Sequence, residues 1–192
     1  MKPSARVKTY TSSVTAANAL HSASLCVWQS RFAISLVLLI SVLLPGCNMH
    51  PSLSDEVRNL TLKTLTGQDV VLAEASGPML VSFWATDCAI CVHEMPEMVA
   101  LYDNYRAKGF ELVAVAMPYD PPNRVLEMAE QEQWPFPVAL DINGEAVDAF
   151  ATVKGTPTNY LIDKNGRLIK RYVGAVPFDD LQSRLDSLLG LS

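Results

Sequence analysis

The stretch WATDCAIC, Trp84 to Cys91, sets two cysteines two residues apart at the end of an apolar run. Such a pair can be half of a metal site, a haem attachment point, a structural bridge or a working redox couple. Its flanks place it. Met79 to Trp84 (MLVSFW) is rich in strand formers, and from Ala89 onward Met95, Met98, Val99, Tyr102 and Tyr105 recur at three- and four-residue spacing up to Gly109, which predicts a helix. Strand, tight loop and helix put Cys88 at a helix N-terminus. Unpaired backbone amides and the positive end of the helix dipole stabilise a thiolate there, lowering a thiol pKa from about 8.5 by one unit or more. Cys88 reads as the nucleophile and Cys91, one turn later, as the resolving thiol. The apolar stripe itself is core.

The other two cysteines lie upstream. Phe32 to Leu44 (FAISLVLLISVLL) is an apolar run relieved only by Ser35 and Ser41, long enough for the core of an export signal and short of the roughly 20 residues that span a bilayer. It ends in LPGC, Leu44 to Cys47, which resembles a bacterial lipobox, with Pro45 where a small residue is usual. The expected organisation is a leader over 1–47 with Cys47 lipidated, a tether over 48–55 and one domain over 56–192. Ordinary secretory cleavage or an uncleaved anchor are the alternatives at Cys47. The 31 residues before the apolar run exceed what an export signal needs, which a start nearer Val27 would explain. Cys26 leaves with the leader, so only Cys88 and Cys91 remain in the domain, and no disulfide framework is possible. In an exported domain a single CxxC serves chemistry or metal.

Length and composition fit one folded domain plus an extension: 192 residues, 49% hydrophobic and 18% charged. Charge is unevenly split. Lys2, Arg6, Lys8 and Arg31 are the only charged residues before Cys47, leaving the remainder about nine units negative. Such a domain repels phosphate backbones, so nucleic acid is excluded as a partner and membrane contact falls to the leader.

Metal and haem fare poorly against the residues present. Structural zinc needs four ligands, and beyond the leader only His50 and His93 accompany the two thiols. His93 lies roughly 140° around a helix from Cys88 at 100° per residue. Covalent haem uses CxxCH, whereas Val92 separates Cys91 from His93. A copper-delivering relative would want a wider cysteine spacing and a distant histidine, and none follows His93.

Further along, Glu111 to Met117 reads as a second buried strand, Asn123 to Gln133 as a helix after Pro121 and Pro122, and Val138 to Asp141 as a short strand. Thr158 to Asp163 and Leu168 to Val173 are strands joined through Lys164 to Gly166, the glycine supplying a positive φ. Phe178, Leu181, Leu185, Leu188 and Leu189 mark a final amphipathic helix, with Pro177 and Asp179 suited to its start. Strands alternating with helices, then a hairpin and helix, predict a mixed α/β sheet covered on both faces.

Three segments, VSFWATDCAICVHEMP (Val81 to Pro96), FPVALD (Phe136 to Asp141) and GTPTNYLIDKNGRL (Gly155 to Leu168), together resemble the TlpA/ResA-like branch of the thioredoxin superfamily, membrane-tethered exported thiol-disulfide oxidoreductases that include cytochrome c maturation proteins. A TP dipeptide opening a strand about 65 residues beyond a CxxC makes the resemblance fairly specific. It implies a thioredoxin fold, with a central mixed sheet flanked by helices, an N-terminal β-hairpin extension and an inserted helix/strand segment. Pro157 matches the family's cis-proline, which brings Thr156 against the CxxC and leaves its backbone free to pair with an extended substrate. Glu94 matches the glutamate that follows the motif and would sit partly buried, shuttling a proton for Cys91. Pro96 matches a helix-kinking proline. Trp84, Ile90 and the Thr156–Pro157 loop would form a shallow docking surface.

Three features depart from related patterns. Ser82 stands where cytosolic thioredoxins bury an Asp, leaving proton handling to Glu94 or water. Asp87 replaces the common aromatic residue, and its carboxylate opposes ionisation of Cys88. Ala89 and Ile90 fill the motif's interior, where the family usually has proline before the second cysteine, and this dipeptide tunes the redox poise. The resemblance implies a monomer facing the periplasm that needs no cofactor beyond its own disulfide. Its partners would be cysteine-bearing client proteins and a membrane or periplasmic electron donor. Disulfide formation or isomerisation, metal delivery and non-catalytic peptide binding are the competing readings.

Overall fold

The structure, a computed structural model, describes residues 53–191, so the leader and Cys47 lie outside the described residues. In chain order its elements are α1 (Asp55–Arg58), β1 (Thr61–Lys63), β2 (Asp69–Val71), β3 (Met79–Trp84), α2 (Ala89–Tyr105), β4 (Glu111–Ala116), α3 (Pro122–Glu132), β5 (Val138–Leu140), α4 (Glu145–Phe150), β6 (Thr158–Ile162), β7 (Leu168–Val173) and α5 (Phe178–Leu189). Short 3-10 turns follow β2 and α2.

β3 is buried at every position and β4 at all but its first, the mark of strands covered on both faces. They pair in parallel, Met79 opposite Glu111 through Trp84 opposite Ala116. The sheet order is β5-β4-β3-β6-β7, with β6 antiparallel to β3 and β7 antiparallel to β6. Alternate residues of β3 feed two cores. Leu80 and Trp84 join Met95, Met98 and Leu101 of α2 and Leu181 and Leu185 of α5. Val81 and Phe83 join Phe150 of α4 and Val57 of α1, where Phe83, Phe150 and Tyr160 meet as close aromatic pairs. Each such pair adds about 0.5–1.5 kcal/mol beyond the area it buries.

The mixed α/β sheet and the β1–β2 hairpin match the expected fold. The β6–β7 turn closes as read, with Gly166 at φ 74° and the buried Asp163 carboxylate accepting the Asn165 and Arg167 N–H groups and the Arg167 guanidinium. Two features differ from the expectation. The tether expected to run to residue 55 has its last residues docked: Leu53 donates its N–H to Gly166 O, and the Ser54 side chain caps α1 through Val57 N–H. And α4, unread in the sequence, occupies the run between β5 and β6. It is only six residues long and follows Gly144 rather than a capping side chain. Asp141, in the loop after β5, orders its first turn by accepting Ala146 and Val147 N–H at 2.9 Å each.

Candidate active site

β3 ends at Trp84, and the chain reverses over Ala85 to Cys88, closed by Cys88 N–H donating to Ala85 O at 3.1 Å. Cys88 then stands in extended conformation as the N-cap of α2. Its Sγ accepts the Cys91 N–H at 3.2 Å, so the sulfur occupies the place a Ser or Asp oxygen takes at other helix starts. Cys88 and Cys91 are joined, S–S 2.08 Å. Cys88 is half-buried against the α2-side core, while Cys91 is only 3% exposed. An incoming thiolate therefore meets the Cys88 sulfur, and a thiolate released on Cys88 keeps the amide and the helix dipole that favour its charge.

Three residues beyond Cys91 on α2, Glu94 is 7% exposed, deeper than expected. Its Oε1 accepts the Val176 N–H at 2.6 Å from the segment between β7 and α5. Burial pushes its carboxyl above the usual carboxylate range, against the opposing effect of that hydrogen bond; Glu97 adds to the rise and His93 counters it. A buried carboxyl held above its ordinary pKa, one helical turn from the buried thiol, is chemically suited to exchange a proton.

The Thr156–Pro157 peptide is cis. Thr158 pairs with Phe83, so Pro157 lies one residue past that pair, beside the end of β3 from which the Cys88 loop departs. Its carbonyl accepts Gly174 N–H at 2.9 Å, and Thr158 Oγ1 donates to Gly155 O at 2.6 Å. Pro157 is buried and Thr156 half-buried.

Trp84 corrects the expectation of a docking surface built on it. It is fully buried, edge-on to Trp134 with ring centroids 5.0 Å apart, because alternation along β3 turns position 84 toward the α2-side core. The apolar surface near the disulfide is instead carried by Ile90, 48% exposed, and Val92. Val92 also lines a cleft of roughly 310 Å³ with Met95, Pro96, Val99, Glu132 and Trp134. Tyr119, after β4, and Val173, opposite Thr158, are exposed at the same end of the sheet.

Two buried polar residues near the motif were not singled out in the sequence. Asp120, 5% exposed, accepts the Thr86 N–H at 2.6 Å and the Thr86 hydroxyl at 2.7 Å. Asn159, fully buried and directly opposite Ser82, has no side-chain hydrogen-bond partner among the described residues. Neither had a local signal, since Thr86 and Ser82 meet them from distant parts of the chain. Among the described residues no group of three or more His, Cys, Asp or Glu side chains is placed to hold a metal ion, and no helix is long and apolar enough to cross a membrane.

A parallel β3–β4 pair extended by an antiparallel hairpin, with a helix N-capped by the first thiol of a CxxC, defines a thioredoxin-fold dithiol protein. The AhpC/TSA family profile matches residues 53–171. The thiol-disulfide oxidoreductase ResA of Geobacillus thermodenitrificans is 33% identical over 131 residues, 68% of this chain and 74% of that one. A thioredoxin-like protein of Neisseria meningitidis, solved in solution, superimposes with a TM-score of 0.66 at 34% identity, covering 72% of this chain and 93% of that one. StoA of Bacillus subtilis, at 24% identity and a TM-score of 0.57 over 65% of this chain and 93% of its own, shares the fold. The chain belongs to the ResA-like thiol-disulfide oxidoreductases within the AhpC/TSA family.

Proposed function

We propose that the protein is an exported, membrane-tethered reductant that breaks disulfides in particular client proteins, apocytochromes or copper-site proteins being fitting examples, through Cys88 and Cys91. The observation that carries the reading is the asymmetry of the pair: Cys88 half-buried at the start of α2, and Cys91 only 3% exposed one turn from the buried Glu94. In the reduced protein the Cys88 thiolate attacks one sulfur of a client disulfide, and the other client sulfur leaves as a thiolate. Cys91 then passes its proton to Glu94 and attacks Cys88 Sγ. The Cys88–client bond breaks, the client sulfur leaves and takes up a proton, and Cys88–Cys91 closes with two electrons delivered to the client. Ile90 and the Thr156–Pro157 loop supply the surface on which an extended client segment lies, with no cofactor beyond the disulfide itself.

Leader and tether hold the domain at the outer face of the membrane, with the lipid on Cys47. A separate dithiol donor restores the reduced state, and the protein works as a monomer. Replacing the resolving thiol tests the exchange. Cys91→Ser should accumulate covalent complexes with exported cysteine proteins that dithiothreitol releases; the absence of any such complex would remove disulfide exchange as the function.

A further inference from the structure

The turn that presents Cys88 is not held by its own residues alone. Ala85 to Cys88 has a single backbone hydrogen bond across it, and Thr86 and Asp87 occupy its two central positions. Asp87 is exposed. Thr86 is gripped from outside by Asp120, whose two carboxylate oxygens take the Thr86 N–H and hydroxyl in a two-point clasp. Asp120 is itself fixed: its N–H donates to Met117 O, Met117 N–H donates to Trp84 O, and the next residues, Pro121 and Pro122, begin α3. No cation forms an ion pair with Asp120 among the described residues, so its hydrogen bonds to Thr86 are the main compensation for burying it. A carboxylate only 5% exposed is costly to keep without partners, because its lost hydration must be replaced by hydrogen bonds. The rigid β3–β4 pair thus reaches across 34 residues of sequence to set the backbone two positions before Cys88.

We propose that Asp120 is a positioning residue for the exchange reaction, acting through Thr86 to hold the Ala85–Cys88 turn so that the Cys88 sulfur stays on the Cys91 amide at the start of α2. The inference rests on the reading of Cys88 as the attacking thiol. A loosened turn lets the sulfur leave its amide donor, and the thiolate then loses a hydrogen bond that favours it. Charged and titratable groups close in sequence to this turn are Asp87, Cys91, His93 and Glu94, and Arg124 and Glu127 of α3 line a small cleft with Thr86. They are unchanged in every variant below.

The test is the pH profile of Cys88 alkylation by iodoacetamide in the full-length, dithiothreitol-reduced protein, followed by peptide mass spectrometry. Three variants are compared with the wild type. Thr86→Val deletes the hydroxyl and keeps the Asp120 charge. Asp120→Asn deletes the charge and keeps one acceptor. Thr86→Ser keeps both donors. Positioning predicts that Thr86→Val and Asp120→Asn both move the alkylation midpoint to higher pH, lowering the rate at neutral pH by about threefold or more as the thiolate fraction falls. Thr86→Ser should follow the wild-type profile. A plain charge effect would instead move Asp120→Asn to lower pH and leave Thr86→Val unmoved, and that pattern overturns the proposal. So do profiles that all coincide. Should Asp120→Asn not fold, the two Thr86 variants decide alone. Oxidised glutathione with the wild-type protein separates the two readings: no exchange there sinks the functional proposal, while the alkylation profiles still judge this one.

Discussion

Glu94 on α2 and Val176 in the segment before α5, 82 residues apart, are joined by a 2.6 Å hydrogen bond from the Val176 N–H to the Glu94 carboxylate. That bond ties the helix carrying both thiols to the segment whose Gly174 N–H pairs with Pro157 O. The acid proposed for proton transfer therefore also fastens the far side of the site.

Glu94→Gln keeps an acceptor for Val176 and removes the titrating proton. Exchange with a small disulfide should slow by at least about tenfold, within the range general acid–base groups contribute. The limb of the pH–rate profile due to Glu94 should vanish. A profile identical to the wild type would assign the proton to water.

The same residue makes a stability prediction of opposite sense to most ion-pair arguments. Burial raises the folded-state pKa of Glu94, so the stability linked to its proton is present below the unfolded value of about 4.3 and is lost as pH rises through the folded value. At pH 7 Glu94→Gln should therefore match or exceed the wild type in urea midpoint, with the difference closing toward pH 4. A variant less stable at pH 7 than at pH 4, relative to wild type, would contradict this.

Asp163 has the other sign. Burial alone would raise its pKa, but the Arg167 N–H and guanidinium and the Asn165 N–H outweigh that and hold the carboxyl below its usual range. Its contribution is present above the unfolded value of about 3.9 and is lost as pH falls through the folded one. Asp163→Asn should cost about 1–3 kcal/mol at pH 7 and much less near pH 2, read by denaturant titration at both pH values.

Gly77 is a steric prediction. A Cβ added there would collide with the Gly109 carbonyl, where the 3-10 turn after α2 ends at φ 99°. Gly77→Ala should lower stability by about 1–3 kcal/mol, the scale of overpacking, and show as a lowered thermal midpoint. An unchanged midpoint would mean the two turns separate freely.

What could be read before folding was whatever the chain states locally. β3 and β4 are apolar runs interrupted only by Ser82 in the first and Glu111 at the start of the second, α2 declares itself by its methionines and tyrosines at helical spacing, and Gly166 marks its own turn. Glu94 was legible as three residues past Cys91. Its depth was not, because Val176 and α5 supply it. Trp84 was misread because apolar residues beside a motif suggest a surface, while strand alternation turns this one inward. Asp120 followed by two prolines looks like an ordinary helix start, and only the parallel pairing of β3 with β4 brings it to Thr86. α4 is too short to show a period, and its order comes from Asp141.

In the proposed function Cys88 and Cys91 form a reversible dithiol poised to reduce. Its most direct test is the reduction potential of the pair in the full-length protein, equilibrated in defined dithiothreitol buffers and scored by alkylation of free thiols. A two-electron transition at a low value, about −270 mV as in thioredoxin, is the result this account predicts. A potential near about −120 mV would mark a disulfide former instead, and the absence of any reversible transition would contradict dithiol chemistry altogether.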